Sequence, residues 1–372
     1  MNDGPRSGHA RLRVVIAGGG TGGHLYPGIA VARELLSRQP SAAISFAGTT
    51  HGIEARVVPR EGFALDVIRA SGLKGKSFVD RAWGAARLPL GVVDAWRIVT
   101  ARRPDLVIGV GGYSSGPVVL TAALRGVPTM LLEQNAVPGL ANRLLARHVR
   151  AAAVTFESTR AYFGSKAFVS GNPVRSEFFA PAAPSAPSAQ DLPATNVLVF
   201  GGSQGAHAIN VAMVEAASVL ASRGSGLRIV HQTGERDLTF VREGYRDAGL
   251  QAEVEPFFYD MGGQLAAADV VVCRAGATTL AEITAAGKAA ILIPLPTATD
   301  DHQRKNAEAL VAQGAAELLL QVDTTGRVLA ERILALAADR PRRERMQAAA
   351  RGLARPDSAR VIVDRALALA GY

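Results

Sequence analysis

A chain of 372 residues exceeds the usual size of a single core, so two domains, each able to bury its own interior, is the starting expectation. Apolar residues make up 48% and charged residues 20%, which excludes a disordered chain, and an aromatic share of 5% leaves a core of Ala, Val, Leu and Ile. The formal net charge of +9 invites an anionic partner, yet no helix-turn-helix, zinc-finger or aromatic RNA-stacking pattern supports nucleic acid.

Before the first strand there is no apolar stretch of signal-peptide length, and nowhere do about 18 uninterrupted apolar residues occur to span a bilayer. The one cysteine, Cys273, ends the run Asp269-Val-Val-Val-Cys273 and reads as a small buried hydrophobe. No disulfide can form within the chain, which fits a reducing cytoplasm.

Short apolar runs alternating with helical patterns predict α/β architecture with doubly wound parallel sheets. In the first half, strands are expected at 13–17, 44–47, 65–70, 106–110, 129–132, 152–156 and 168–170. A Pro/Ala/Ser segment at 180–194 reads as a linker or exposed loop, after which strands are expected at 197–200, 228–232, 254–257, 270–273, 290–294 and 317–320. The stretch from Pro341 to Tyr372 reads as helical with a break at Pro356-Asp357. The resulting division is a first domain at 11–178, a linker at 179–194, a second domain at 195–350, and a terminal helix at 351–372 that packs back on the first domain.

One stretch concentrates charge. Between 69 and 103 stand Arg69, Lys74, Lys76, Arg81, Arg87, Arg97, Arg102 and Arg103 against Asp80 and Asp94, with Trp83, Leu90, Val92, Val93 and Trp96 among them. Apolar groups rimmed by cations suit an anionic membrane surface. An amphipathic helix with its apolar face in the core and its arginines solvated accounts for the same composition.

A strand runs into a glycine-rich turn and then a helix twice: at Gly18-Gly19-Gly20-Thr21-Gly22-Gly23-His24 and at Gly201-Gly202-Ser203-Gln204-Gly205. Ligands of open parallel sheets bind beyond the carboxyl ends of the strands, and glycines there let backbone N–H groups approach an anion. Pro27 suits the first turn of the helix that follows. A dinucleotide oxidoreductase would carry an acid at the end of the second strand, but that strand ends Phe46-Ala47-Gly48-Thr49-Thr50 and the first carboxylate is Glu54. A P-loop is imitated by Gly75-Lys76-Ser77, with Ala70 where its first glycine belongs.

Other strand ends are polar where a core would be apolar. They are Gly111-Gly112-Tyr113-Ser114-Ser115, Glu133-Gln134-Asn135 leading to Asn142, Gly171-Asn172-Pro173-Val174-Arg175, Arg274-Ala-Gly276-Ala277-Thr278-Thr279 opening a helix with Glu282, and Asp300-Asp301-His302-Gln303. Each alone is compatible with capping or turn chemistry. Their convergence on one edge of two sheets points to a site.

At these residues, and over nearly the whole chain from Arg13 onward, the sequence closely resembles the MurG family of bacterial peptidoglycan N-acetylglucosaminyltransferases, in glycosyltransferase family 28. The resemblance implies a GT-B fold, two Rossmann-like domains facing across a cleft, with the acceptor on the first and UDP-N-acetylglucosamine on the second. It implies inverting transfer to the 4-hydroxyl of undecaprenyl-diphospho-N-acetylmuramoyl-pentapeptide, at the cytoplasmic face of the inner membrane as a peripheral protein.

Residue by residue, the resemblance places Thr21, Gly22 and Gly23 toward the sugar nucleotide and acceptor diphosphate, and Gly112 and Tyr113 on the acceptor side. Asn135 resembles a donor-sugar contact, Arg175 an arginine near the donor, and Ser203 a diphosphate contact. Ala277, Thr278 and Thr279 open the helix facing the phosphates, Glu282 resembles the carboxylate that holds both ribose hydroxyls, Gln303 reads the sugar hydroxyls, and Phe258 marks where backbone groups meet uracil.

Inverting transfer needs a base for the acceptor hydroxyl and a counter-charge for the leaving diphosphate. His24 is the candidate base, with phosphate or backbone hydrogen bonding as its other reading; His302 reads as donor-side and His231 as structural. No Asp-x-Asp motif occurs, and neither a metal nor a cofactor is expected. Two alternatives stand beside the transferase: another UDP-sugar enzyme on the same scaffold, a glycolipid synthase or epimerase, and a non-enzymatic basic binder of membrane or nucleic acid.

Overall fold

In the computed structural model the described residues are 11–69, 78–179, 195–202, 204–224 and 226–372, with backbone only for 78–89. Ser203, the Gly75-Lys76-Ser77 segment and residues 180–194 of the expected linker lie outside them.

The first half alternates as expected: β1 (Arg13–Gly18), α1 (Gly22–Arg38), β2 (Ala43–Gly48), α2 (Glu54–Arg60), β3 (Ala64–Val67), α3 (Phe78–Arg102), β4 (Leu106–Gly111), α4 (Ser115–Leu124), β5 (Thr129–Glu133), α5 (Leu140–Leu145), β6 (Ala151–Val154) and β7 (Ala167–Val169). The second half follows with β8 (Thr195–Phe200), α6 (His207–Arg223), β9 (Leu227–Gln232), α7 (Leu238–Asp247), β10 (Ala252–Glu255), α8 (Met261–Ala267), β11 (Val270–Cys273), α9 (Ala277–Ala286), β12 (Ala289–Leu292), α10 (His302–Val311) and β13 (Glu317–Leu318). Three helices close the chain: α11 (Gly326–Ala338), α12 (Arg340–Leu353) and α13 (Ser358–Ala370).

Two compact units result. One holds the chain up to Pro173 together with Asp357–Tyr372, the other Val174–Pro356. The divisions fall at 173 and 356, not at 178 and 350, because the one-turn helix Ser176–Phe179 packs on α8 and α9, and α12 packs on α9 and β12. Arg175 therefore belongs with the second unit.

The first sheet runs β3-β2-β1-β4-β5-β6-β7, all pairs parallel. Strand order reverses between β1 and β4, and crossover helices leave on opposite faces there, which opens the carboxyl edge to a ligand. The Arg13 guanidinium grips both oxygens of Asp105, at 3.1 and 2.7 Å, and so ties the starts of β1 and β4. One face is covered by α1 and α13, through Leu25, Ile29, Leu35, Ile362, Val363 and Leu367; the other takes Ala95, Ile98 and Val99 of α3 with Val118, Val119 and Ala122 of α4. Continuous apolar strands such as Val14-Val15-Ile16-Ala17 follow from burial on both faces.

The second sheet runs β10-β9-β8-β11-β12-β13, again parallel, with its reversal between β8 and β11. Alanines on α6 (Ala212, Ala216, Ala217) let α11 approach closely, and a Cβ on Gly326 would stand 2.3 Å from that of Glu215.

Two expectations need correction. Pro27 lies in the second turn of α1, since the helix begins at Gly22, so its missing N–H withholds a bond from the Gly23 carbonyl rather than filling a first-turn position. In the basic stretch, Arg69 and Arg102 are engaged internally: Arg69 chelates the buried Asp94 and Arg102 chelates Asp66. The visible end of α3 is divided, with Ala95, Ile98 and Val99 in the core and Leu90, Val92, Val93 and Trp96 exposed.

Candidate active site

Three glycines at the end of β1 take positive φ, with Gly18 at 141°, Gly19 at 152° and Gly20 at 86°. At two positions a side chain would also collide: a Cβ on Gly18 would lie 2.3 Å from the Gly111 carbonyl oxygen, and one on Gly112 would lie 2.5 Å from that of Gly19. The turns after β1 and β4 are thus packed backbone against backbone. That packing needs glycine on both sides.

Thr21 is the extended residue before α1, and its hydroxyl meets Nδ1 of His24 at 3.1 Å. The imidazole lies over Gly111, where a Cβ would come within 3.1 Å of Nε2. Gly22 and Gly23 form the first turn of α1, at the positive end of a 17-residue helix. Tyr113 is exposed beside Gly112, and Ser114 and Ser115 beyond it are buried.

Asn135 is held from beneath. The buried Glu133 carboxylate accepts from the Asn135 and Gly139 N–H groups, both at 3.0 Å, and from the Asn142 amide at 2.8 Å. Burial pushes the Glu133 carboxyl up despite those donors. Gln134 donates to the Val110 carbonyl and fastens the same loop to β4.

In the second unit, Gly202 and Gly205 have φ of 92° and 74°. A Cβ on Gly205 would lie 1.9 Å from the Thr233 carbonyl oxygen, and one on Gly234 would lie 2.4 Å from that of Gln204, so the second glycine turn also rests on a neighbouring backbone. Gln232 joins this turn to the next loop: its amide donates to the Gly202 carbonyl and its oxygen accepts the Phe258 N–H at 2.8 Å. The backbone N–H of Phe258 is therefore engaged, and its ring is buried.

Ala277, Thr278 and Thr279 make the first turn of α9, preceded by Gly276 with no side-chain cap. A helix start without an acidic residue suits an anion. Glu282 follows on the same helix. Burial, opposed by Arg175 and reinforced by Glu177, pushes its carboxyl up to about 7. Arg175 pairs with Glu177 at 3.1 Å and lies over the Phe178 ring.

Gln303 ties two strand ends together, its oxygen accepting from the N–H groups of Ala275 at 3.3 Å and Leu295 at 2.9 Å. Only its NH₂ end then remains to face a hydroxyl. His302 donates Nδ1–H to the Thr299 carbonyl, after Asp300 and Asp301, both left-handed at φ 54°. His231 is fully buried between Tyr245 and Asn210, and burial pulls its pKa down to about 3, so it is neutral and structural.

The structure thus gathers Thr21, Gly22, Gly23, His24, Gly112 and Tyr113 at adjoining strand ends of the first sheet, with Asn135 one strand further along. It places Arg175, Phe258, Ala277, Thr278, Thr279, Glu282 and Gln303 in the second unit. Family models for the glycosyltransferase family 28 N-terminal and C-terminal domains match residues 14–154 and 196–362. The chain belongs to glycosyltransferase family 28.

Its relatives place this family 28 chain more narrowly. It is 48% identical to the UDP-N-acetylglucosamine--N-acetylmuramyl-(pentapeptide) pyrophosphoryl-undecaprenol N-acetylglucosamine transferase of Myxococcus xanthus, over 95% of this chain and 92% of that one. It is equally 48% identical to the protein of the same name from Geotalea uraniireducens, over 95% and 97%. The crystal structure of Acinetobacter baumannii MurG superposes with a TM-score of 0.77 at 31% identity, over 96% of this chain and 99% of that one.

Two residues of the site carry little signal in the sequence. Gln232 sits at a strand end like the chosen motifs, but a lone glutamine carries no signal. Glu54 stands in the sequence only as the first carboxylate after the second strand, and the surrounding Gly48-Thr49 and Gly52 are the cue to it.

Proposed function

We propose that the chain transfers N-acetylglucosamine from UDP-N-acetylglucosamine to the 4-hydroxyl of a lipid-diphosphate-linked N-acetylmuramoyl-pentapeptide, the glycosylation that completes the lipid-linked disaccharide of peptidoglycan synthesis. The observation that carries this reading is the pairing, in one family 28 chain, of an uncapped α9 start with Glu282 on the same helix and a glycine turn with His24 in the other unit. The first set suits a nucleoside diphosphate, and the second suits an acceptor that brings both a diphosphate and a hydroxyl.

The acceptor hydroxyl gives its proton to Nε2 of His24 while its oxygen bonds to the anomeric carbon. The bond from that carbon to the UDP oxygen breaks, UDP leaves with the electron pair, and the configuration inverts. This assigns His24 the tautomer in which Nδ1–H donates to the Thr21 hydroxyl and Nε2 is the basic nitrogen. The α9 N-terminus and Arg175 stabilise the charge that grows on the diphosphate. Ionised Glu282 receives the ribose hydroxyls, Gln303 donates its NH₂ to the sugar, and Asn135, fixed by Glu133, orients it. Ser203 completes the diphosphate contacts.

A lipid-linked acceptor requires work at a membrane surface. No helix among the described residues is long and apolar enough to cross one. The exposed Leu90, Val92, Val93 and Trp96 of α3, with Arg97 beside them and the Arg125 guanidinium 4.6 Å over the Trp96 ring, suit docking on an anionic leaflet from the cytoplasmic side.

The test is labelled UDP-N-acetylglucosamine with a short-chain analogue of the lipid-linked muramoyl pentapeptide. UDP release that depends on the acceptor, with label in the acceptor, is expected. Release without acceptor, or epimerised UDP-sugar, would assign the scaffold to another UDP-sugar reaction.

A further inference from the structure

Glu54 opens α2 and is 1% exposed, yet its carboxylate forms no ion pair among the described residues. It accepts instead from three neutral donors: the Gly20 N–H at 2.8 Å, the Thr49 N–H at 2.9 Å and the Thr49 hydroxyl at 2.8 Å. That hydroxyl in turn accepts the Gly52 N–H at 3.1 Å. Burial alone would raise the Glu54 pKa, but the donors at Gly20 and Thr49 outweigh it and hold the carboxyl below its ordinary range.

Three glycines make room for this one side chain. A Cβ on Gly19 would lie 2.6 Å from the Glu54 carboxyl carbon, one on Gly48 2.6 Å from Cγ, and one on Gly52 2.1 Å from Oε2. Glu54 therefore joins the turn after β1 to the loop after β2. The Gly20 N–H points at a fixed negative charge, so that part of the turn is closed to a diphosphate, and an incoming anion is left the α1 N-terminus one residue on.

We propose that Glu54 is a positioning residue for sugar transfer: its carboxylate locks the first glycine turn so that the α1 N-terminus and His24 meet the acceptor. This rests on the function proposed above. Glu54, Gly20 and Thr49 all belong to the first unit, whereas the proposed nucleotide residues belong to the second, so its loss is expected to appear in turnover and acceptor use and not in donor binding. In Glu54→Gln the side chain keeps its size, but an amide NH₂ replaces one accepting oxygen and faces either Gly20 or Thr49 donor to donor.

The experiment measures kcat, both KM values and peptide-resolved hydrogen exchange in the parent, in Glu54→Gln and in the milder Thr49→Val, which deletes one donor. Expected for Glu54→Gln are a fall in kcat of tenfold or more, donor KM within twofold of the parent, and exchange at 18–24 faster by tenfold or more with β8 and β11 unchanged. Thr49→Val is expected to move the same parameters by less, and it decides the matter if Glu54→Gln does not fold. Kinetics within twofold of the parent, or a donor KM that rises along with the loss of kcat, would overturn the proposal. If the parent itself transfers no sugar, the function fails first, and unchanged exchange at 18–24 would then show that Glu54 does not hold the turn.

Discussion

Glu282 shows how one residue's environment shapes the behaviour of a site. Its carboxyl, pushed up to about 7 by burial against the pull of Arg175, is half protonated near neutrality in the empty protein. Because the folded pKa lies above the unfolded one, the group's favourable contribution to stability is fully present below the ordinary glutamate pKa and is lost as pH rises through about 7. If Glu282 receives the ribose hydroxyls as proposed, they donate to its ionised form, so nucleotide binding draws the pKa down and releases a proton. The affinity for UDP-N-acetylglucosamine, measured by calorimetry, is therefore expected to tighten about tenfold from pH 6 to pH 8. In Glu282→Gln that dependence disappears and binding is weaker throughout; a parent affinity flat over this range would remove Glu282 from the ribose. His231, buried and neutral beside Tyr245, answers none of this, which separates a structural histidine from His24 at the lip of a loop.

At the scale of elements, helix ends are matched to their surroundings. The first turn of α9 carries no acidic residue, while Arg351 lies across Gly287 at its other end and Lys288 donates to the Ala266 carbonyl near the end of α8. Cations at carboxyl ends complement the helix dipoles. The last helix, α13, belongs to the first unit, where Ile362, Val363, Ala366 and Leu367 cover the α1 face of the sheet and Arg38 pairs with Asp364. Truncating Ile362 to alanine leaves a cavity in that layer, at a cost of about 2–5 kcal/mol. Hydrogen exchange at β1 and β4 is expected to accelerate accordingly while β8 and β11 keep their protection. Equal acceleration in both sheets would show that α13 stabilises more than its own unit.

At the scale of the whole molecule, a charge of +9 does not by itself locate a surface. Ion pairing does part of that work, for among the described residues Arg69 and Arg102 are matched by Asp94 and Asp66, while Arg97 is exposed beside Val92, Val93 and Trp96. Trp96→Glu combined with Arg97→Glu places two negative charges on the proposed docking face and is expected to weaken sedimentation with anionic vesicles at least fivefold. The parent's binding should fall with added salt. Vesicle binding unchanged by the double variant would move the membrane contact elsewhere.

Period and punctuation alone determined the alternation of strands and helices, the parallel sheets and the restart of the pattern in the second half. The reason is that a strand buried on both faces must be continuously apolar and its exits must be glycine-rich or polar. The same logic put the motif residues at strand ends. Tertiary structure decided what a one-dimensional pattern does not carry. It revealed that Glu54 points into the glycine turn, that Gln232 takes the Phe258 N–H, that Gln303 keeps only its NH₂ end for a ligand, and that α3 buries one apolar face and exposes another. The Glu54 and Gln232 contacts join groups 34 and 26 residues apart, separations that no local pattern carries. The first glycine turn shows both halves: its sequence announces an anion site, and only the fold reveals the carboxylate that closes one part of it.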